Sequence, residues 1–317
     1  MRPFLAALVA TLAFAAPAGA VVGGQPVPEG QFPYVANVQV MGAFGCTGTL
    51  IAPQWVLTAG HCGSATGSLS QGLVASPVAW PARAYTVALG SVYADGHGAE
   101  RHDVAQVVVD SGYTVTNGSG NDVTLMKLDT PSKIAPMRIA AVGERASWQP
   151  GVLATIAGFG ATSPDASQMP DRMQVAKVPI TTDEYCARAY GGGSFDARTM
   201  VCAGYPQGGT DTCDGDSGGP LLAPVKDGFR LAGATSFGSG CAQAGKPGVY
   251  ARVAEGPIRE WLKGVVPEAL APEPVATKPA AKPRKRQAAR RCSRRSAREH
   301  SRGKRARSRS CRRASRR

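Results

Sequence analysis

The chain has 317 residues, with 36 Lys and Arg against 22 Asp and Glu and a formal net charge of +14. That total does not describe a uniformly basic protein: Lys278 to Arg317 hold nineteen Lys and Arg and one acid, Glu299, a local +18 that leaves the rest of the chain at −4. A fold that is basic throughout is excluded, and two unlike objects are joined in one chain.

Residues 1–20, MRPFLAALVATLAFAAPAGA, carry one early positive charge at Arg2, an apolar run and the small-residue ending Ala18-Gly19-Ala20. This is the pattern of a secretory signal peptide. A membrane anchor is the other reading of such a run, but this one is short for a spanning helix and ends in a cleavage-like signal. No later segment is apolar enough to span a bilayer, so a secreted, extracellular chain beginning near Val21 is expected. In an oxidising compartment the eight cysteines read as disulfide partners rather than metal ligands.

From Val21 to about residue 266 the sequence is rich in Gly, Val, Thr and Ala, with turn residues throughout. The segments VANVQV, TGTLIA, YTVALG, AQVVVD and VLATIAGFG predict short strands and an all-β domain, either one large sandwich or two small barrels. Only the end of VAEGPIREWLKGVV, 253–266, reads as helix, with Ile258, Trp261 and Leu262 on one face. Residues 267–283 are Pro/Ala-rich and predict an extended, semi-rigid linker. Residues 284–317 cannot bury a core and predict a disordered Arg-rich tail. Dense Arg with Ser and no aromatics suits capture of a polyanion: a nucleic acid, a membrane surface or, for an exported chain, an anionic surface polymer, with a solvated tail that has no partner as the competing reading.

The stretch DTCDGDSGGP, residues 211–220, carries the chemistry. Ser217 has glycines on both sides, which let the chain bend so that a side chain is exposed and backbone N–H groups turn outward. A serine needs a general base held by a third group to act as a nucleophile. Of four histidines, His300 lies in the tail and His97 and His102 lie in a polar stretch that reads as solvated loop; His61 ends the buried run WVLTAGHC. Asp122, opening NDVTLMKL, is the candidate third group, with a plain turn before a strand as the competing reading.

TAGHC around His61, NDVTLMKL around Asp122, GDSGGP around Ser217 and TSFGSGCAQAGKPGVYARV from 235 to 253 together resemble the trypsin/chymotrypsin family of serine endopeptidases, in that family's order His, Asp, Ser. The resemblance spans Val21 to about Val266 and implies two packed antiparallel six-stranded barrels with a short C-terminal helix. It implies Ser217 as nucleophile, His61 as base, Asp122 as its orienter, and the N–H groups of Gly215 and Ser217 as the oxyanion hole. It puts Asp211 at the floor of the specificity pocket, with Ser236, Gly238 and Gly248 along it, and so implies protein or peptide substrates cut after Arg or Lys.

The resemblance also implies that the ammonium of Val21, opening VVGG, pairs with Asp216. If the signal peptide is removed after Ala20, export itself activates the enzyme. Disulfides Cys46–Cys62, Cys186–Cys202 and Cys213–Cys241 are implied; Cys292 and Cys311 match nothing in the family. No cofactor and no metal are expected: some relatives bind calcium near the positions of Asp95 and Glu100, but the spacing here does not suit it. Phe159 and Phe237 stand where many relatives have Trp, and the loop from Cys62 to Tyr85 is longer than in compact relatives. A monomer is expected. The alternative, an exported polyanion-binding protein with a catalytically idle protease scaffold, is opposed by the presence of all three triad residues and the pocket acid.

Overall fold

The computed structural model describes residues 21–65, 78–114, 120–191 and 193–273. The signal-peptide and tail readings, Cys292 and Cys311 lie outside the described residues. In chain order the strands are β1 (Gln25–Pro26), β2 (Val35–Val40), β3 (Ala43–Ala52), β4 (Trp55–Thr58), β5 (Ser64–Ala65), β6 (Val78–Ala79), β7 (Tyr85–Leu89), β8 (Glu100–Val109), β9 (Thr124–Leu128), β10 (Leu153–Gly158), β11 (Gln174–Pro179), β12 (Met200–Ala203), β13 (Pro220–Val225), β14 (Gly228–Phe237) and β15 (Gly248–Arg252). Three helices are described: α1 (Gly60–Gly63), α2 (Asp183–Tyr190) and α3 (Gly256–Val265). No helix among the described residues is long and apolar enough to cross a membrane.

Strands β2, β3, β4, β9, β8 and β7 neighbour one another in that order and close into a barrel. Val38, Leu50, Val56, Val87, Leu89 and Met126 fill its interior, an expected outcome for strands rich in β-branched and long apolar residues. The second sheet runs β1-β11-β10-β13-β14-β15-β12. β11 and β12 meet where Ile180, just past β11, bridges Ala203 of β12; Thr181 N–H donates to Cys202 O at 2.9 Å and Gly204 N–H to Pro179 O at 2.9 Å. Six strands thus ring a second core of Ile156, Val178, Val201, Leu221 and Tyr250, and β1 is added outside β11. The expected pair of antiparallel six-stranded barrels is what the chain forms.

A third cluster joins them. Ile51, Leu57 and Leu125 of the first barrel pack with Leu222, Leu231, Ala234 and Ala251 of the second, and Ile258 and Leu262 of α3 seal the seam. Each buried Leu or Ile of this set contributes roughly 1.5–3 kcal/mol, so the seam between the barrels is firmly held. The predicted helical face is the one used: Ile258 and Leu262 are fully buried and Trp261 packs half-buried beside them.

Three local expectations differ from the structure. Helix α2 was not foreseen; Thr182 caps it by accepting from Tyr185 N–H at 3.1 Å, Asp183 and Glu184 complement its first turn, and only Cys186 is buried, so no apolar periodicity marked it. The linker does not begin at residue 267. A 3-10 turn at Pro267–Ala269 is followed by backbone bonds from Ile139 N–H to Ala269 O (2.9 Å) and from Ala271 N–H to Ile139 O (2.8 Å). Ala269 and Ala271 are buried, and the Glu273 carboxylate accepts from Val142 N–H at 3.0 Å and Gly143 N–H at 2.8 Å, so the strap through 273 belongs to the folded domain. His102 is no solvated loop residue. It points inward from β8, with Nδ1 3.1 Å from Thr130 Oγ1 and Nε2 3.3 Å from Glu100 Oε1.

Candidate active site

Pairing of β4 with β9, in the register Thr58 to Thr124, brings the residues after one strand beside those before the other. His61, on the single turn α1, and Asp122, two residues before β9, meet there. His61 N–H donates to Asp122 Oδ1 at 2.9 Å; His61 Nδ1 lies 3.0 Å from Oδ2 and 3.2 Å from Oδ1, which places the ring proton on Nδ1. Ser236 Oγ donates to Oδ2 at 2.5 Å. Asp122 is 5% exposed and collects three donors. Burial disfavours its charge, yet the His61 hydrogen bond and charge and the Ser236 and backbone bonds outweigh that and hold its carboxyl below the ordinary range. Burial likewise opposes the imidazolium of His61, and Asp122 overcomes it, so His61 is raised above its usual value.

Ser217 sits at the head of the turn from Cys213 to Gly219. Asp216 N–H donates to Cys213 O at 2.9 Å and Gly219 N–H to Asp216 O at 2.8 Å. Gly218, at φ +79°, is required by both conformation and space, since a Cβ would stand 2.1 Å from Thr58 Oγ1 and 2.6 Å from Ala59 N. Those neighbours belong to the end of β4 that leads into His61, so nucleophile turn and base are in contact through the backbone. Ser217 O is 3.9 Å from Cys62 Sγ. No hydrogen bond joins Ser217 to the His61 ring among the described residues; catalytic contacts of this kind are often long until a substrate is bound. The N–H groups of Gly215 and Ser217 donate to no acceptor among the described residues.

A cavity of about 240 Å³ opens beside Ser217 and is lined by Asp211, Ser236, Gly238 and Gly248, which brings together the residues expected to bind substrate. Asp211 is 2% exposed, and its oxygens accept Thr212 N–H at 2.8 Å and Ala242 N–H at 3.3 Å. Burial outweighs those bonds and pushes its carboxyl up to about 7. Gly248 leaves the carboxylate open to the cavity, because a Cβ there would stand 2.4 Å from Asp211 Oδ1. The three expected disulfides are present: Cys46–Cys62 beside the base, Cys186–Cys202 at α2, and Cys213–Cys241 along the cavity.

Residues 21–262 match the family described as Trypsin. The chain belongs to the trypsin family. It is 38% identical over 234 residues to "Trypsin" of Saccharopolyspora erythraea, which covers 74% of this chain and 93% of that protein. It is 36% identical over 264 residues to "Serine protease 56" of Homo sapiens, covering 81% of this chain and 40% of that protein. The protein is a trypsin-like serine peptidase, and its substrates are peptides.

Asp216 of this trypsin-family protease is fully buried and accepts N–H groups from Gly160 and Cys213, each at 2.9 Å; burial raises its carboxyl to about 7. Val21 is also fully buried, and Val22 bridges Asp211, with Asp211 N–H donating to Val22 O at 3.1 Å. In the 317-residue chain Val21 N is a peptide nitrogen. Of the Trp replacements, Phe159 is buried against Phe44 (centroids 6.3 Å apart), and Phe237 lines the cavity and meets Tyr190 edge-on at 5.5 Å. Asp95 is engaged by His97 N–H at 2.8 Å, and Glu100 by Ser132 Oγ and Lys133 N–H at 3.1 Å each.

Two contributors were not foreseen. Thr47 on β3 donates its N–H to Ser217 O at 3.0 Å and its hydroxyl to Gly215 O at 2.9 Å, tying the nucleophile turn to the first barrel. Ser236, expected only along the pocket, also bonds Asp122. Nothing in GCTGTL distinguishes Thr47 from any other strand threonine. Ser236 carried a signal only through its place beside Phe237 in the matched segment.

Proposed function

We propose that this protease is secreted and hydrolyses peptide bonds after Arg or Lys through an acyl-enzyme. The reading is carried by one observation: an almost fully buried carboxylate, Asp211, on the wall of a cavity that also reaches Ser217. An acid in such a slot gains most from a cationic guest, because a guanidinium or ammonium supplies the charge that water cannot deliver there.

With the basic side chain seated, Ser217 Oγ attacks the scissile carbonyl and its proton passes to His61 Nε2. Asp122 holds the Nδ1–H tautomer and stabilises the imidazolium. The oxyanion takes the N–H groups of Gly215 and Ser217, each such donor contributing about 3 kcal/mol to the transition state. His61 then protonates the leaving amine, and water repeats the sequence on the acyl-enzyme.

Removal of residues 1–20 would leave an ammonium on Val21 to pair with Asp216, making export the activating step. The pair would relieve a buried carboxylate that, among the described residues, accepts from two backbone donors. The monomer is the working unit, since one chain supplies triad and cavity alike. The Arg-rich tail holds the enzyme on an anionic polymer outside the cell.

A peptide-library cleavage profile on protein beginning at Val21 tests the reading. Cuts confined to bonds after Arg and Lys, with Ser217 modified by an active-site phosphonylating reagent, support it. Cuts after apolar residues, or an unreactive Ser217, overturn it.

A further inference from the structure

Of the carboxylates in DTCDGDSGGP, Asp211 and Asp216 have places in the account above and Asp214 has none. It is exposed and lines the same cavity as Asp211 and Ser217. A second exposed acid, Asp165, lines that cavity from the loop after β10. The two segments are joined at the backbone: Ala161 N–H donates to Asp214 O at 2.7 Å, and the loop is closed by Thr162 N–H to Gln168 O at 2.9 Å. No Lys, Arg or His lines the cavity, and neither acid has an ion-pair partner among the described residues.

We propose that Asp214 and Asp165 read a second cation in the substrate, so that the preferred peptides carry another Lys or Arg next to the residue that fills the pocket. The inference rests on the reading of Asp211 given above and narrows its substrate class from basic to multiply basic peptides. Asp165 is suited to the role: Ser167 holds its Oδ1 through the hydroxyl at 2.8 Å and the N–H at 3.2 Å. The hydroxyls of Ser163 and Ser167 keep its carboxyl down at about 2, so it is charged throughout the working range. Both acids are in water, so each contributes modestly, about two- to fivefold, and salt screens it. Charges at the rim of a site act mainly on encounter, so the effect belongs in kcat/KM and in its ionic-strength dependence.

The test uses peptides with one Arg at the cleaved bond and Lys, Gln or Glu placed in turn at each neighbouring position, with only the products of cleavage after that Arg quantified. At low ionic strength the wild-type protease should prefer Lys over Gln by about 3- to 10-fold at one position or more, and Gln over Glu in the same sense. The preference should shrink in Asp214→Asn and Asp165→Asn, vanish in the double variant, and collapse at about 0.5 M salt. Equal rates for Lys, Gln and Glu in the wild type overturn the inference without recourse to any variant, and so does a preference that survives in a folded double variant. If the Arg peptide is not cut in preference to one with an apolar residue in its place, the failure lies with Asp211 instead.

Discussion

The two barrels build their shares of the active site by different means. The first secures the base with side-chain chemistry: Asp122 accepts from His61 twice and reaches across the seam to Ser236. The second secures the nucleophile mainly with backbone shape, through a turn closed by main-chain bonds from Asp216 to Cys213 and from Gly219 to Asp216, braced by the Asp216 carboxylate, and with no room for a Cβ at Gly218. The first half should therefore be sensitive to a change of functional group at constant shape, and the second to a change of shape at constant chemistry.

Asp122→Asn should produce the largest effect, about 10⁴-fold in kcat with the melting temperature little changed, because the amide favours the wrong imidazole tautomer. Gly218→Ala adds no functional group, yet it combines left-handed strain with a clash against Thr58, so activity should fall by about 10²-fold or more and stability by roughly 3 kcal/mol. Calorimetry separates the two: a Gly218→Ala protein as stable as the wild type would break the contrast. Ser236→Ala removes one of the donors to Asp122 and should lower kcat by about tenfold, in keeping with a hydrogen bond to a charged group.

Titration sharpens the contrast. Catalysis needs neutral His61, so kcat should rise with pH through a midpoint above 6.5, the ordinary value from which Asp122 raises it. On the pocket side, burial raises Asp211 and Asp216 to about 7. Between about pH 4 and pH 7 the folded 317-residue chain keeps protons that the unfolded chain has lost, so each group lowers stability as pH rises across that window; with Val21 as a free ammonium, Asp211 alone does so. A cation bound at Asp211 opposes this. Stabilisation by a small amidine ligand should thus be weak at low pH and strengthen by at most about 1.4 kcal/mol per pH unit up to neutrality. Ligand-induced shifts that are flat from pH 5 to pH 8 would place Asp211 outside the binding site.

What could be read from the sequence follows from where the constraints lie. GDSGGP, TAGHC and NDVTLMKL are local, each packing a reactive group with the small or turn residues that expose it. Their joint order pointed to the fold, the triad and the disulfides. Contributions that act across the fold left no local mark. Thr47 is one of many strand threonines until β3 is laid against the nucleophile turn, and Gly160 shows its necessity only when a Cβ is found to fall 2.6 Å from Asp216 Cγ. The strap at 267–273 looked like a linker because Pro and Ala dominate it. It is folded because Ile139 offers an edge to pair with, a fact held elsewhere in the chain. His102 was read from its polar surroundings, whereas β8 turns alternate residues inward and partners it with Thr130 and Glu100.

The most direct test of the account compares kcat/KM for peptides differing only in Arg or Phe at the cleaved residue, in the wild type and in Asp211→Ser. The account predicts that the wild type favours Arg by about 10⁴-fold or more and that the variant loses most of that ratio through the Arg peptide, while active-site titration still counts a full complement of reactive Ser217. An Arg preference that survives the loss of the carboxylate would contradict it.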